Sequence, residues 1–507
     1  MRRFKTIGIV AMISLFLFSA IAAGEITWTT KKLTNNAGDA GLPSIAVDGS
    51  NIYVVWDDNT PGNYEIFLKK STNGGNTWKQ TRLTNNAGDS GFPSIAVDGS
   101  NIYVVWDDDT PGNYDIFLGK STDKGVTWTT KNLTKNAGDS YCPSIAVDGS
   151  NIYVVWHDNT PGNYEIFLGK STDKGSTWTT KKLTNSAGDS GFPSIAVDGS
   201  NIYMVWDDNR QGNYDIFLGK STNKGSTWTT KKLTNNAGDS GLPSIAVDGS
   251  NIYVVWDDNT PGNYEIFLGK STDKGLTWTT KKLTNNAGDS GFPSIAVDGS
   301  NIYVVWDDNR AGNYEIFLKK STDGGNTWEQ TRLTENAGDS EFPSIAVNGS
   351  NIYVAWDDDT PGNYEIFLGK GAPSSEQFPD IRGTYTGTGS VTLTGCWDSN
   401  DNGTYNFKAT VFVTHQTNGN FSGTGTLTTS VGGHKIREEL DFSGKITASG
   451  GVNGTSTSDL YIDGAWDSST EGSFSGSLKG DTLKLSTSSK DTAGDTCSGK
   501  GSIQGTR

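Results

Sequence analysis

Hydrophobic residues fall along this chain in short blocks separated by polar turns, and the blocks return every fifty residues. In the first unit Ile45 and Val47 alternate with small residues, Asp48-Gly49 makes a turn, and Ile52, Tyr53, Val54, Val55 and Trp56 form a continuous apolar run. Two more blocks, residues 64–68 and 78–83, complete the unit. Apolar, β-branched and aromatic blocks bounded by Asp-Gly and Pro-Gly predict strands joined by tight turns. The unit that starts at Pro43 recurs at Pro93, Pro143, Pro193, Pro243, Pro293 and Pro343, seven copies in all. Four short strands per copy at this period predict one propeller blade per copy.

The seventh copy stops at residues 369–373 without a fourth block, and residues 26–34 repeat the fourth-block pattern of residues 127–134. Pairing that N-terminal strand with the last copy predicts a closed ring with no free sheet edge. The pattern changes near residue 379 to Thr/Gly/Ser-rich alternation, with eight strands expected between residues 382 and 505. The expected architecture is therefore all-β: a seven-bladed propeller over residues 25–370, a linker over 371–378, and a small antiparallel barrel or sandwich over 379–507. In a closed barrel Cys396 and Cys497 fall beside each other at the seam, which predicts a disulfide. Cys142 stands where other copies carry Phe or Leu and reads as a small buried hydrophobe.

Composition fits this picture: 64 glycines and many Asn, Asp, Ser and Thr suit an all-β chain of 507 residues. Residues 1–23 carry a basic start, an apolar stretch and small residues at Ala20, Ala22 and Ala23, the pattern of a signal peptide, so export is expected. No later stretch has the length of a membrane helix. The formal charge of -16 argues against nucleic acid as a partner.

Between the third and fourth blocks lies a motif, S-x-D-x-G-x-T-W, at 121–128, 171–178, 271–278 and 321–328, with Asn73 and Asn223 replacing Asp in two further copies. It resembles the Asp-box (BNR) repeat of sialidase-like propellers, and the repeat is also similar to that of TolB-like propellers. The resemblance implies a propeller, with the Asp-box in a structural role. Sialidase activity would further require an arginine triad, a Tyr/Glu nucleophile pair, an Asp acid/base and an F/Y-R-I-P motif. That motif is missing, and the propeller repeats hold only Arg82, Arg210, Arg310 and Arg332.

Loops 34–42 and 57–63 and their copies are expected on one face. They hold twenty-two aspartates against Lys135, Arg210 and Arg310, so this face is acidic. Candidate ligand-binding residues are the acids Asp57, Asp58, Asp107, Asp108, Asp158, Asp207, Asp257, Asp307 and Asp357, together with His157, Arg210 and Arg310. Trp56, Trp106, Trp156, Trp206, Trp256, Trp306 and Trp356 end the second strands beside them, placed either to stack on sugars or to fill the space between blades. Asp39, Asp57, Asp58, Asn63 and their equivalents supply the oxygen ligands Ca²⁺ takes, or simply cap turns. Cys142 and His157 share a blade, but a Cys–His pair there lacks a third group. Near-identical blades offer seven equivalent sets of groups rather than a differentiated acid and base. The functional expectation is an exported, non-catalytic binding propeller that recognises a glycan or a cell-surface protein. The rivals are an exo-α-sialidase-like glycoside hydrolase and a structural cell-envelope protein.

Overall fold

The computed structural model describes residues 26–373, apart from Pro111, Pro161 and Pro261, and eight stretches between residues 383 and 506. The expected signal segment, Cys396 and Cys497 lie outside the described residues. Two compact units divide the chain, one of them Glu25–Pro373. No helix occurs among the described residues, and none is therefore long and apolar enough to cross a membrane.

The first unit is a seven-bladed propeller. β1 (Ile26–Lys32) precedes the first blade, which consists of β2 (Ala40–Asp48), β3 (Asn51–Asp58), β4 (Glu65–Ser71) and β5 (Lys79–Arg82) in antiparallel order. Five more blades repeat that order. The last blade has three strands of its own, Ser340–Asn348, Asn351–Asp358 and Glu365–Pro373, and β1 supplies its fourth. Ile26 lies opposite Pro373 and Lys32 opposite Phe367. The ring is closed by the N-terminal strand, as the missing block implies.

The unbroken apolar run of β3 follows from its position, since nearly every residue is buried and successive side chains face opposite neighbours. Tyr53 and Val55 pack with Ile95, Ile102, Val104 and Trp106 of the second blade. Ile52, Val54 and Trp56 pack with Tyr353, Ala355, Ile366 and Leu368 of the last. Each interface repeats this set, so the core is a ring of seven contact layers.

Each first strand carries a register break just before its Ser, between Gly41 and Ser44 in β2. A bulge of this kind re-aims one side chain. Here it places Leu42, Phe92, Cys142, Phe192, Leu242, Phe292 and Phe342 at φ between 43° and 50°. At the opposite ends of the blades the turns between third and fourth strands are held by their own side chains. Asp123 accepts hydrogen bonds from the Thr127 hydroxyl and amide and from the Ser121 hydroxyl, which hold its carboxyl below the usual range. Trp178 donates to the Gly175 carbonyl at 3.0 Å.

In the second unit, strands from Gly383–Thr394 to Ser498–Thr506 pair in chain order, and the last pairs with the first to close a barrel.

Candidate functional site

The bulged residues encircle the propeller axis. With the prolines that follow them they line an axial pocket of about 270 Å³. A broader basin of about 970 Å³ adjoins it, bordered by Phe192, Leu242 and Phe292 and by Tyr164, Tyr214, Tyr264 and Tyr314. Phe92 and Phe192 are each 43% exposed, unusual for a large apolar side chain at a strained backbone position.

Beneath the basin runs a ring formed by position 57 of each copy. Six of the seven members, all but Asp257, accept a hydrogen bond of ordinary geometry from the backbone of the next blade's bulged residue. Asp107 accepts from Cys142 N at 3.0 Å, Asp207 from Leu242 N at 3.3 Å, and Asp357 from Leu42 N at 3.0 Å. His157 replaces Asp in the third blade and accepts the Phe192 amide on Nδ1 at 3.3 Å. Burial raises the aspartates: Asp57 and Asp207 to about 7, Asp257 to about 8, and Asp107, Asp307 and Asp357 well above the carboxylate range. The same burial lowers His157 to about 4, which keeps it a neutral acceptor.

Several expected site residues are placed otherwise. Trp56, Trp106, Trp156, Trp206, Trp256, Trp306 and Trp356 are at most 2% exposed, so none of them can stack on a ligand. Each stacks instead on a Phe of its own blade, as Trp56 does on Phe67 with centroids 6.0 Å apart. The space between blades demands a large apolar filler, and the sugar-stacking assignment is corrected accordingly. Asp58, Asp108 and Asp158 are also buried and cap their own turns. Asp58 accepts the Thr60 amide at 2.9 Å and the Trp56 indole at 3.3 Å. Arg210 and Arg310 fold back onto Asp208 and Asp308 and lie over Phe217 and Phe317, 4.6 and 4.4 Å from the ring centroids. Neither lines the basin.

Two of the oxygen-bearing residues considered for calcium are engaged in hydrogen bonds between blades. Asp39 accepts the Tyr364 amide at 3.2 Å, and Asn63 donates its amide to the Gly88 carbonyl, so both join blades. Among the described residues no three His, Cys, Asp or Glu side chains are grouped so as to hold a metal ion. The Cys142 amide donates to the Asp107 carboxyl while His157 accepts from the Phe192 amide, and burial pushes the free Cys142 thiol well up, the opposite of an activated nucleophile.

No protein-family model matches the sequence, and no curated protein does. Among solved structures, an ulvan lyase of polysaccharide lyase family PL25 aligns over 66% of this chain and 94% of its own, with 12% identity and a TM-score of 0.50. A mutant sialidase of Trypanosoma rangeli that displays trans-sialidase activity aligns over 96% and 97%, with 10% identity and a TM-score of 0.44. The likeness is one of fold.

Two groups in the basin were not legible beforehand as site residues. One is the row Tyr164, Tyr214, Tyr264 and Tyr314, partly exposed and set just after the loops equivalent to 57–63; the recurrence of Tyr at this position in every copy was the available signal. The other is Glu341, which stands where most copies have Gly and accepts the Tyr364 hydroxyl at 2.9 Å. Desolvation raises the Glu341 carboxyl. Tyr141 occupies the same column in the third blade, with its ring 4.6 Å from that of Tyr114 and 5.9 Å from that of His157. Sevenfold repetition is thus broken at two places in one column.

Proposed function

We propose that the chain is an exported, non-catalytic binding propeller whose loop-face basin takes a glycan or a glycan-bearing cell surface. The observation that carries this reading is the basin itself. It presents partly exposed tyrosines and an apolar floor beside hydrogen-bonding acids, the combination that receives the apolar face and hydroxyl edge of a sugar. Repetition supports binding over turnover, because similar weak subsites add up on a multivalent ligand. The fold likeness to an ulvan lyase agrees with a glycan ligand by analogy only. A glycan array probed with the full chain tests the reading. Binding is expected to weaken in a Tyr214→Ala, Tyr264→Ala double variant that melts like the parent, and no binding to any glycan or cell-surface preparation would overturn it.

The Tyr364–Glu341 pair favours a second reading, glycoside hydrolysis through a tyrosine activated by a carboxylate. An anionic sugar is a poor substrate for it, since Arg210 and Arg310 are committed to Asp208 and Asp308. Turnover of any chromogenic glycoside that disappears in Glu341→Gln would make this the better reading.

A further inference from the structure

We propose that the basin selects a glycan bearing protonated amino groups, an amino-sugar polymer in its free-amine form. This rests on the glycan-binding reading above and specifies its ligand.

The first support is the charge inventory. Seven carboxyl side chains line the basin, and neither Lys nor Arg does. Burial raises four of them, Asp207, Asp257, Asp307 and Glu341, so that these take up charge only as a cation or rising pH draws their protons off. Its one histidine is held neutral by burial. A concave site lined by one sign of charge attracts the other and disfavours uronate, sialate or sulfate. The second support is a specific deficit. Asp207 is only 4% exposed, borders the basin, and its Oδ1 has no hydrogen-bond partner. Leaving a buried polar atom unpaired is costly, and a cation with N–H donors relieves it.

The third support separates an organic cation from a metal ion. Tyr164, Tyr214, Tyr264 and Tyr314 stand around the same volume, and aromatic faces attract ammonium groups. The exposed rings of Phe192 and Phe292 suit the C–H face of a pyranose and offer nothing to a bare ion. Repetition argues for a polymer: acid–tyrosine subsites recurring around a ring match a ligand that itself repeats, whereas a folded basic protein does not. Tyr141 and Glu341 then give the ring a direction, with an aromatic platform of Tyr114, Tyr141 and Tyr164 on one side and an acid on another.

The test is calorimetric titration of the full chain with glucosamine oligomers and with the same oligomers N-acetylated, at near-neutral pH, where the Asp207 carboxyl, raised to about 7, begins to ionise while part of the amines remain protonated. The two probes share a backbone and differ in the amine charge. The free-amine oligomer is expected to bind at least about tenfold tighter, an advantage of the size cation–π and ionic contacts provide, and to lose that advantage at high salt. Glu341→Gln, at a position where most blades carry Gly, is expected to fold normally and to narrow the gap between the probes. Equal or tighter binding of the N-acetylated oligomer, weakened by Tyr214→Ala, would overturn amine selection and leave the glycan reading standing. Failure of both probes together with every neutral glycan would overturn the two readings at once.

Discussion

Seven non-glycine residues at φ near 50° are a residue-scale cost repeated around the ring, roughly 1–2 kcal/mol each for a left-handed L-residue. The bulge and the cross-blade hydrogen bond to position 57 hold them there, and the side chains so presented form the apolar floor. The strain therefore sits where the ligand is proposed to rest. Replacing Phe192 separates the two effects. Phe192→Gly is expected to leave the melting temperature close to the parent's, since released strain offsets chain entropy. Phe192→Val retains hydrophobicity but puts a β-branched side chain at φ 43°, and is expected to destabilise by about 1–2 kcal/mol. Denaturant unfolding of the two variants decides it: a Val variant more stable than the Gly variant would mean the backbone there is unstrained.

At the scale of elements, the informative strand is β1. It pairs along its whole length with Glu365–Pro373, and Lys32 forms an ion pair at 3.1 Å with the buried Glu365. Equivalent pairs, Arg82 with Glu65 and Lys282 with Glu265, lie within single blades. In the last blade alone the partners come from opposite ends of the propeller. Deleting residues 26–34 removes the fourth strand, strips Glu365 of its cation and exposes a sheet edge. A loss of at least about 3 kcal/mol is expected in denaturant unfolding, with concentration-dependent association in light scattering as the bare edge seeks a partner. A monomeric truncated chain that melts with the parent would show that closure contributes little.

At the scale of the whole molecule, the buried acid ring sets an unusual pH dependence. Six aspartates have folded pKa values raised above the unfolded 3.8, mainly by burial. Between about pH 4 and about 7–8 the folded chain therefore holds more protons than the unfolded one, and this contribution to stability is lost as pH rises. His157 acts oppositely, because its folded value lies below 6.5, but its contribution is complete above that pH. Asp123 and Asp173, shifted downward by the turn hydrogen bonds they accept, act only at lower pH. The melting temperature at constant ionic strength is accordingly expected to fall from about pH 6.5 to about pH 8.5. Asp257→Asn, which retains an acceptor for the Phe292 amide, is expected to raise it at the alkaline end and flatten the slope. A flat or rising parental curve would mean these carboxyls are not buried as protonated acids.

The repeat itself determined the blade count, the composite last blade and the acidic face, because strand period and turn chemistry are local properties copied seven times. Ile52 to Trp56 already read as a strand from its continuous apolar run. Only the tertiary structure decided which loop residues border the basin. Trp56 and Asp58 look like binding groups in the sequence, yet neighbouring blades bury them, while Tyr214 looks like the start of a strand and its ring comes to rim a basin. Glu341 and Tyr141 share a column three hundred residues long, and their meaning depends on blades that the chain visits far apart. Burial, and with it the charge state of Asp207 or His157, is a property of the closed ring and is carried by no single repeat.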